Sequence, residues 1–386
     1  MTPRRAAALA GITLLLLLLP GSGIDARRPT IPDRLDDAAF WRLVTECSEP
    51  GGTFRSENLV SNERGFPAVL PEVARRASPS GAYIGVGPEQ NFSYLAVLRP
   101  RIAFIVDIRR QNAVLHLLYK AIFELSPTRA EFLSRLFSRP RARHLGPQST
   151  PRDLMEAFAV GTPSRDLFEA NTGDIRALLT KAHGWPLSSA DLAGLSHVYE
   201  AFYEQGPEIR YAQRSFRRGM PFPSLAELMT VTDSQGAFRS FLASEETYRA
   251  VRDLQQRNLI VPVVGDFAGN GALAAIGAYL RAHGLVVSSF YASNVEMYLL
   301  RDDGGKVFYR NLAALPINGQ SVLVRSVFGG FGFGGRAGAG GYPGAGPGVT
   351  GGRLVGQLQI DPIGELLAAV QRGEIGSYAD LVARVK

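Results

Sequence analysis

Two short apolar runs, Ala82 to Val86 and Ile102 to Val106, are continuous rather than alternating. Runs of that kind suit strands covered on both faces, as in a parallel sheet. Gln90 to Leu98 lies between them with the length of a minimal crossover helix, and Asn112 to Leu125 reads as a longer helix. Sheet character returns at Leu259 to Val264, where Pro262 sits inside the run, a place that central strands avoid. Ala272 to His283 reads as a helix stopped by Gly284, and Val286 to Tyr291 as a further strand. Gln320 to Phe328 and Arg353 to Ile360 form a terminal pair of strands, and two short helices, Pro362 to Gln371 and Ser377 to Val385, close the chain.

Between Thr128 and Gln256 helical stretches dominate, broken by "SRPRARHLGPQSTP", "GWPLSS" and "RRGMPFPS", with Leu192, Leu195, Val198, Tyr199 and Phe202 at helical spacing. Upstream, Asp36 to Cys47 and Pro67 to Ala77 predict two helices separated by a polar stretch. Alternating β and α elements predict an α/β, Rossmann-like sheet, mostly parallel, with a C-terminal antiparallel hairpin and a helical insertion. The expected organisation is a signal peptide over 1–26, an N-terminal helical extension over 27–80 and the first half of the Rossmann-like domain over 81–127. A helical insertion over 128–256 and the second half over 257–386 follow, with a flexible Gly-rich loop at 329–352. In that loop 13 of 24 residues are glycine, so little there offsets the cost of ordering it.

The first 26 residues carry a basic Arg4-Arg5 start, an apolar run too short for a membrane span and small residues after it. That order predicts a signal peptide and an exported, periplasmic or extracellular protein, with the twin-arginine route open to it. Contact with a membrane is expected only through this segment. The single cysteine, Cys47, excludes an intramolecular disulfide, and the five histidines lack metal-ligand spacing, so no metal is expected. A formal charge of +7 with clustered arginines, among them Arg109-Arg110 and Arg214 to Arg218, suits solvated surfaces first and an anionic partner second. No aromatic-interleaved basic motif is present, so nucleic acid is not an expected partner.

Candidate chemistry centres on Gly85 and Gly87, which follow the first buried strand. Glycine permits a sharp strand-to-helix turn and close approach of a ligand to the backbone. The N–H groups opening the next helix, at Glu89, Gln90 and Asn91, favour anions. Asp107 lies 20 residues after Gly87, at the end of the next strand, where a carboxylate can accept from the hydroxyls of a ribose. Position 90 holds glutamine where a nicotinamide fingerprint needs glycine, while Arg109 and Arg110 keep an NADP-dependent reductase as an alternative.

The segments "YIGVGP", "FIVDI" and "VPVVGDF", with the C-terminal strand pair, resemble class I S-adenosylmethionine (SAM)-dependent methyltransferases. More closely, "GPEQNFSYL", "FIVDIRRQN", "VGDFAGNGAL" and "FYASNVEMYL" are similar to a bacterial family of uncharacterised proteins assigned to that Rossmann-like fold. The resemblance implies SAM as cofactor, held by Gly85, Gly87, Glu89, Gln90, Asn91, Asp107 and Asp266. It implies that Asp266 ends the fourth-position strand at the mouth of the cleft. The chain departs from the pattern at Tyr83, where the family has an acid, and at Glu89, where it has a third glycine. Glu89 either displaces the cofactor's carboxylate or binds its ammonium group. Tyr291, Asn294 and Glu296 are expected on the substrate side, with Glu57, Asn58 and Asn62 on a lid. These readings predict a SAM-dependent methyltransferase-like protein acting on a small or anionic acceptor. The alternative is an exported, non-catalytic binding protein on a degenerate methyltransferase fold.

Overall fold

The computed structural model describes residues 30–54, 56–211, 222–301, 303–328 and 356–384. The expected signal peptide, the Gly-rich loop and the arginines from Arg214 to Arg218 lie outside the described residues.

The chain begins with α1 (Asp37–Glu46) and α2 (Phe66–Arg76), then runs β1 (Ala82–Gly85), α3 (Gln90–Leu98), β2 (Ile102–Asp107) and α4 (Arg110–Leu125). Among the described residues six α-helices follow: α5 (Arg129–Phe137), α6 (Pro151–Val160), α7 (Arg165–Ala177), α8 (Ser189–Gln205), α9 (Leu225–Thr230) and α10 (Glu245–Gln256). The chain returns through β3 (Ile260–Val264), α11 (Ala272–Ala282), β4 (Val287–Ser293), α12 (Glu296–Leu299) and α13 (Gly304–Ala313). It ends with β5 (Val322–Phe328), β6 (Gly356–Pro362), α14 (Ile363–Gln371) and α15 (Tyr378–Ala383).

The strands form one six-stranded sheet in the order β3-β2-β1-β4-β5-β6, parallel except for the antiparallel β5–β6 pair. This is an α/β, Rossmann-like arrangement. Every residue of β1, β2 and β3 is buried, as the unbroken apolar runs require. The helix α3 is buried over most of its length, with α2 and α10 packed against it. Phe92 on α3 meets His116, Tyr119, Phe123 and Phe241 edge-on, tying α3 to α4 and to the six-helix segment. Four helices of that segment open on reciprocal capping boxes, Thr150/Asp153, Ser188/Asp191, Ser224/Glu227 and Ser244/Thr247. Each such cap contributes about 1 kcal/mol to its helix. Gly284 has φ +66°, the left-handed stop expected after α11.

The strand before Asp266 is not in the fourth position of the sheet. β3 lies at the edge, outside β2, and β4 takes the place beside β1. Edge placement also accounts for Pro262. Leu259 O accepts from Ala103 N, and Gly265 N donates to Asp107 O, so the odd-numbered groups face β2. Pro262 therefore lacks only an N–H that would point away from the ladder. The exposed edge is covered by the N-terminal segment: Glu49 N donates to Val264 O at 2.8 Å and Val264 N to Ser48 Oγ at 3.0 Å. At the opposite edge α2 packs against β5 and β6. The chain between α1 and α2 must cross from one edge of the sheet to the other, and it does so over the C-terminal ends of the strands.

Candidate functional site

The strand order reverses between β1 and β4, and in open α/β sheets the crevice at such a switch point takes ligands. Here it opens into a cleft enclosing about 940 Å³ of space, part of it open to solvent. Its floor is the turn Val86-Gly87-Pro88 with Asp107 and Asp266, and one wall is the end of β4 with Tyr291, Ser293 and Asn294. Its roof is the crossing segment, from Phe54 to Asn62.

The turn is built by Asn91. Its side-chain amide donates to the carbonyls of Val86 at 3.0 Å, Gly87 at 3.2 Å and Pro88 at 2.8 Å, and its Oδ1 accepts from Tyr83 Oη at 2.9 Å. The Gly87 carbonyl also faces His116 Nε2 at 2.8 Å. A carbonyl only accepts, so Nε2 carries a proton. Burial pushes the His116 pKa down to about 4, which keeps the ring neutral at neutral pH. Because the Val86 carbonyl points to Asn91, the planar trans peptide turns the Gly87 N–H the opposite way. Gly87 has φ +78° with open space where a side chain would stand, whereas a Cβ on Gly85 would overlap Asn91 Oδ1. The two glycines thus serve different ends: Gly85 admits Asn91 and Tyr83, and Gly87 forms the floor of the cleft.

Several expected cofactor residues are turned inward. Glu89 is buried behind the roof, where both carboxylate oxygens accept from Ser61 N at 3.1–3.2 Å. Burial raises its pKa to about 7. Gln90 is buried too; it accepts from Ser61 Oγ at 2.6 Å and donates to Tyr291 Oη at 3.1 Å and to Glu63 at 3.3 Å. Asp107 lines the cleft but is already paired. The Arg109 side chain donates to both of its oxygens, at 2.9 and 2.8 Å, and Arg109 N donates to Oδ1 at 2.9 Å. A carboxylate offers about four acceptor sites, and Arg109 takes three of them here. One hydroxyl can still be accepted, not both hydroxyls of a ribose. Arg109 itself is completed by the carbonyls of Ser56 and Glu57, and Arg110 is held by Asp191 at 2.8 and 3.0 Å. Neither arginine is left over for a 2′-phosphate.

Asp266 reaches the cleft and accepts from Ala268 N at 2.8 Å. The glycines that follow it, Gly269 and Gly271, make room for Glu49, whose Oε1 caps α11 by accepting from Gly271 N and Ala272 N at 2.5–2.6 Å. This helix N-terminus is therefore filled by the chain's own carboxylate.

In the roof, Asn58 and Asn62 line the cleft, while Glu57 is turned outward to His197 Nε2 at 2.9 Å. Ser56 donates to Tyr211 Oη at 2.9 Å, and Arg64 pairs with Glu227 at 2.6 Å. The roof is thus tied to the six-helix segment, and Tyr211 from that segment lines the cleft with it. Tyr291 and Asn294 line the cleft. Glu296 does not: it points away from the cleft and is buried against Arg325 at 3.3 Å and Tyr309 Oη at 2.6 Å.

Glu63, at the end of the roof, was not among the expected site residues. It is 6% exposed and accepts from Ser293 Oγ at 2.6 Å and Tyr291 Oη at 2.7 Å. Burial raises its pKa, and the groups bonded to it are neutral. Ser293 ends β4 with φ +50°, a left-handed conformation uncommon outside glycine.

The family model described as "Domain of unknown function (DUF7790)" matches residues 58–145 and 169–338. The chain belongs to this family. The DUF7790 match takes in every cleft-lining residue except Phe54, and its gap, 146–168, covers α6 and the start of α7, where no residue lines the cleft. No curated protein matches the sequence.

Proposed function

We propose that this cleft binds a small molecule of the nucleoside-cofactor class, with SAM as the leading candidate, and that the protein is a methyltransferase-like member of its fold class. The observation that carries this reading is the meeting of the Gly87 turn, Asp107 and the end of β4 at the switch point between β1 and β4. Gly87 would lie against the ligand's backbone-facing edge, Asp107 would accept one ribose hydroxyl, and Tyr211 and Tyr298 would supply flat apolar surface for a base. SAM, when bound, supplies an activated methyl group. The chain's part is then to hold an acceptor in line beneath the roof and to exclude water.

The ion pair between Asp107 and Arg109 favours a second reading, an exported binding protein that keeps the cleft without the reaction. NADP is the weaker ligand, because both arginines at the expected phosphate site are engaged. Titration calorimetry of the purified protein with SAM, its demethylated product, adenosine and NADP separates these outcomes. Binding of SAM and its product below millimolar supports the first reading. Adenosine alone supports the binding protein, and heat from NADP alone overturns both.

A further inference from the structure

Ser293 and Glu63 have no chemical role in the cofactor reading, although Glu63 also ties the roof to β4 and α3 through its bonds to Ser293, Tyr291 and Gln90. Ser293 lines the cleft and is partly exposed. Its hydroxyl donates to Glu63 Oε1 at 2.6 Å, and Glu63 is sealed behind it. The Glu63 carboxylate is oriented by Tyr291 Oη at 2.7 Å and Gln90 Nε2 at 3.3 Å, so its position does not depend on Ser293 alone. The serine sits at the end of a parallel strand, just before a helical turn, with φ +50°. A strained strand-to-helix turn of this kind presents a side chain into a cleft and is retained where the surrounding structure fixes it.

We propose that Ser293 and Glu63 form a nucleophile and general-base pair, and that the cleft carries out acyl transfer from small esters or thioesters. This goes beyond the cofactor reading and stands whichever cofactor the cleft takes. Ser293 Oγ attacks the acyl carbon as its proton moves to Glu63, forming the C–O bond. The C–X bond then breaks, and the leaving group departs with the proton from Glu63. Water attacks the acyl-serine, returns its proton to Glu63 and releases the carboxylic acid, and Glu63 passes that proton on to the freed Ser293 oxygen. The sum is one ester or thioester and one water giving one acid and one alcohol or thiol. A carboxylate suits this work only if its basicity is raised toward neutral pH, and burial of Glu63 among neutral donors acts in that direction. The titratable groups packed around it are Tyr83 on β1, Tyr94 on α3 and Tyr291 on β4, all held protonated by burial.

A fluorophosphonate tests the pair without knowledge of the substrate. Its phosphorus is attacked by an activated serine, fluoride leaves, and the proton goes to the base. Incubation of the whole protein with this probe, followed by peptide mass spectrometry, should place the adduct on Ser293. Ser293→Ala should abolish labelling, and Glu63→Gln should slow it at least about 100-fold, the lower end of what a general base contributes. Should Glu63→Gln fail to fold, the wild-type labelling rate read against pH serves instead. It should fall as the medium is acidified through the raised Glu63 range. No adduct on Ser293 at millimolar probe, equal labelling in Glu63→Gln, or a rate independent of pH overturns the proposal.

Discussion

Arg109 grips Asp107 through both carboxylate oxygens, at 2.9 and 2.8 Å, with each side chain only 7–8% exposed. The acid that sequence spacing assigns to a ligand is thus first a partner for the arginine two residues on. The pair closes the floor of the cleft and fixes the roof, since the same guanidinium donates to the carbonyls of Ser56 and Glu57.

Removing either partner should therefore cost stability as well as binding. Breaking a buried, hydrogen-bonded ion pair from one side costs about 3–5 kcal/mol, because the other charge is left without compensation. Asp107→Asn and Arg109→Gln should each fall in that range in urea unfolding. The double variant should cost clearly less than the two added together. Additive losses would show that the two side chains act independently.

A second prediction concerns pH. Burial lifts Glu89 from 4.5 to about 7 in the folded chain. The folded state then holds a proton that the unfolded state has released, so stability is greatest below the unfolded pKa and is lost as pH rises toward 7. The loss is about 3 kcal/mol at 1.36 kcal/mol per pKa unit. His116 works in the opposite sense, because burial holds it down at about 4 and its contribution is lost as pH falls. The Glu89 effect is read as a difference: Glu89→Gln should gain on the wild type by that amount between pH 4.5 and 7. A constant difference across the range would mean that Glu89 does not titrate there.

Below α4 lies a second buried charge cluster. Lys120 Nζ is 2.7 Å from Glu124 Oε1 and is itself 1% exposed, over the rings of Phe40 and Trp185. His183 stacks on Trp185 and bonds Glu124 at 3.0 Å and Asp37 at 2.8 Å. Burial alone would lower the His183 pKa, but Glu124 and then Asp37 outweigh it, so the net shift is upward. The stabilisation it brings is full below its unfolded pKa and disappears as pH rises through the folded one. His183→Gln should therefore cost more at pH 5.5 than at pH 9, measured by thermal unfolding. An equal cost at both would leave His183 as packing alone.

The sheet was largely legible in the sequence because continuous apolar runs report burial on both faces. The bounds of α3 were readable in full, since Gln90 follows a glycine turn and Pro100 stands just past Leu98. The helix α13 was not, because its first two residues are glycines that argue against a helix start. The described part of β6 ends at Pro362, a residue an edge strand tolerates, while the expected strand start at Arg353 lies outside the described residues. Strand order is absent from periodicity, so the edge position of β3 was misread. In the site, Gly87 and Asp107 are visible as spacing along adjacent strands. The bond from Tyr291 to Glu63 spans 228 residues and the one from Ser293 to Glu63 spans 230, so no local pattern could have joined them.

The two glycines of the turn offer the sharpest separation of fold from function. At Gly85 an added methyl meets Asn91 Oδ1 and the Tyr83 ring, both fully buried and bonded to each other. Gly85→Ala must push Asn91 off three carbonyls that it holds, so large destabilisation follows, about 3 kcal/mol or more. At Gly87 nothing lies within 4 Å of the added methyl, and only the left-handed backbone resists. Gly87→Ala should cost about 1–2 kcal/mol. Its methyl would stand in the cleft, so any ligand found by calorimetry should lose far more affinity than the protein loses stability. Gly85→Ala should do the reverse, losing stability before binding. If Gly87→Ala binds the ligand as the wild type does, the turn is not the floor of a ligand site and the cleft must be used from the β4 side.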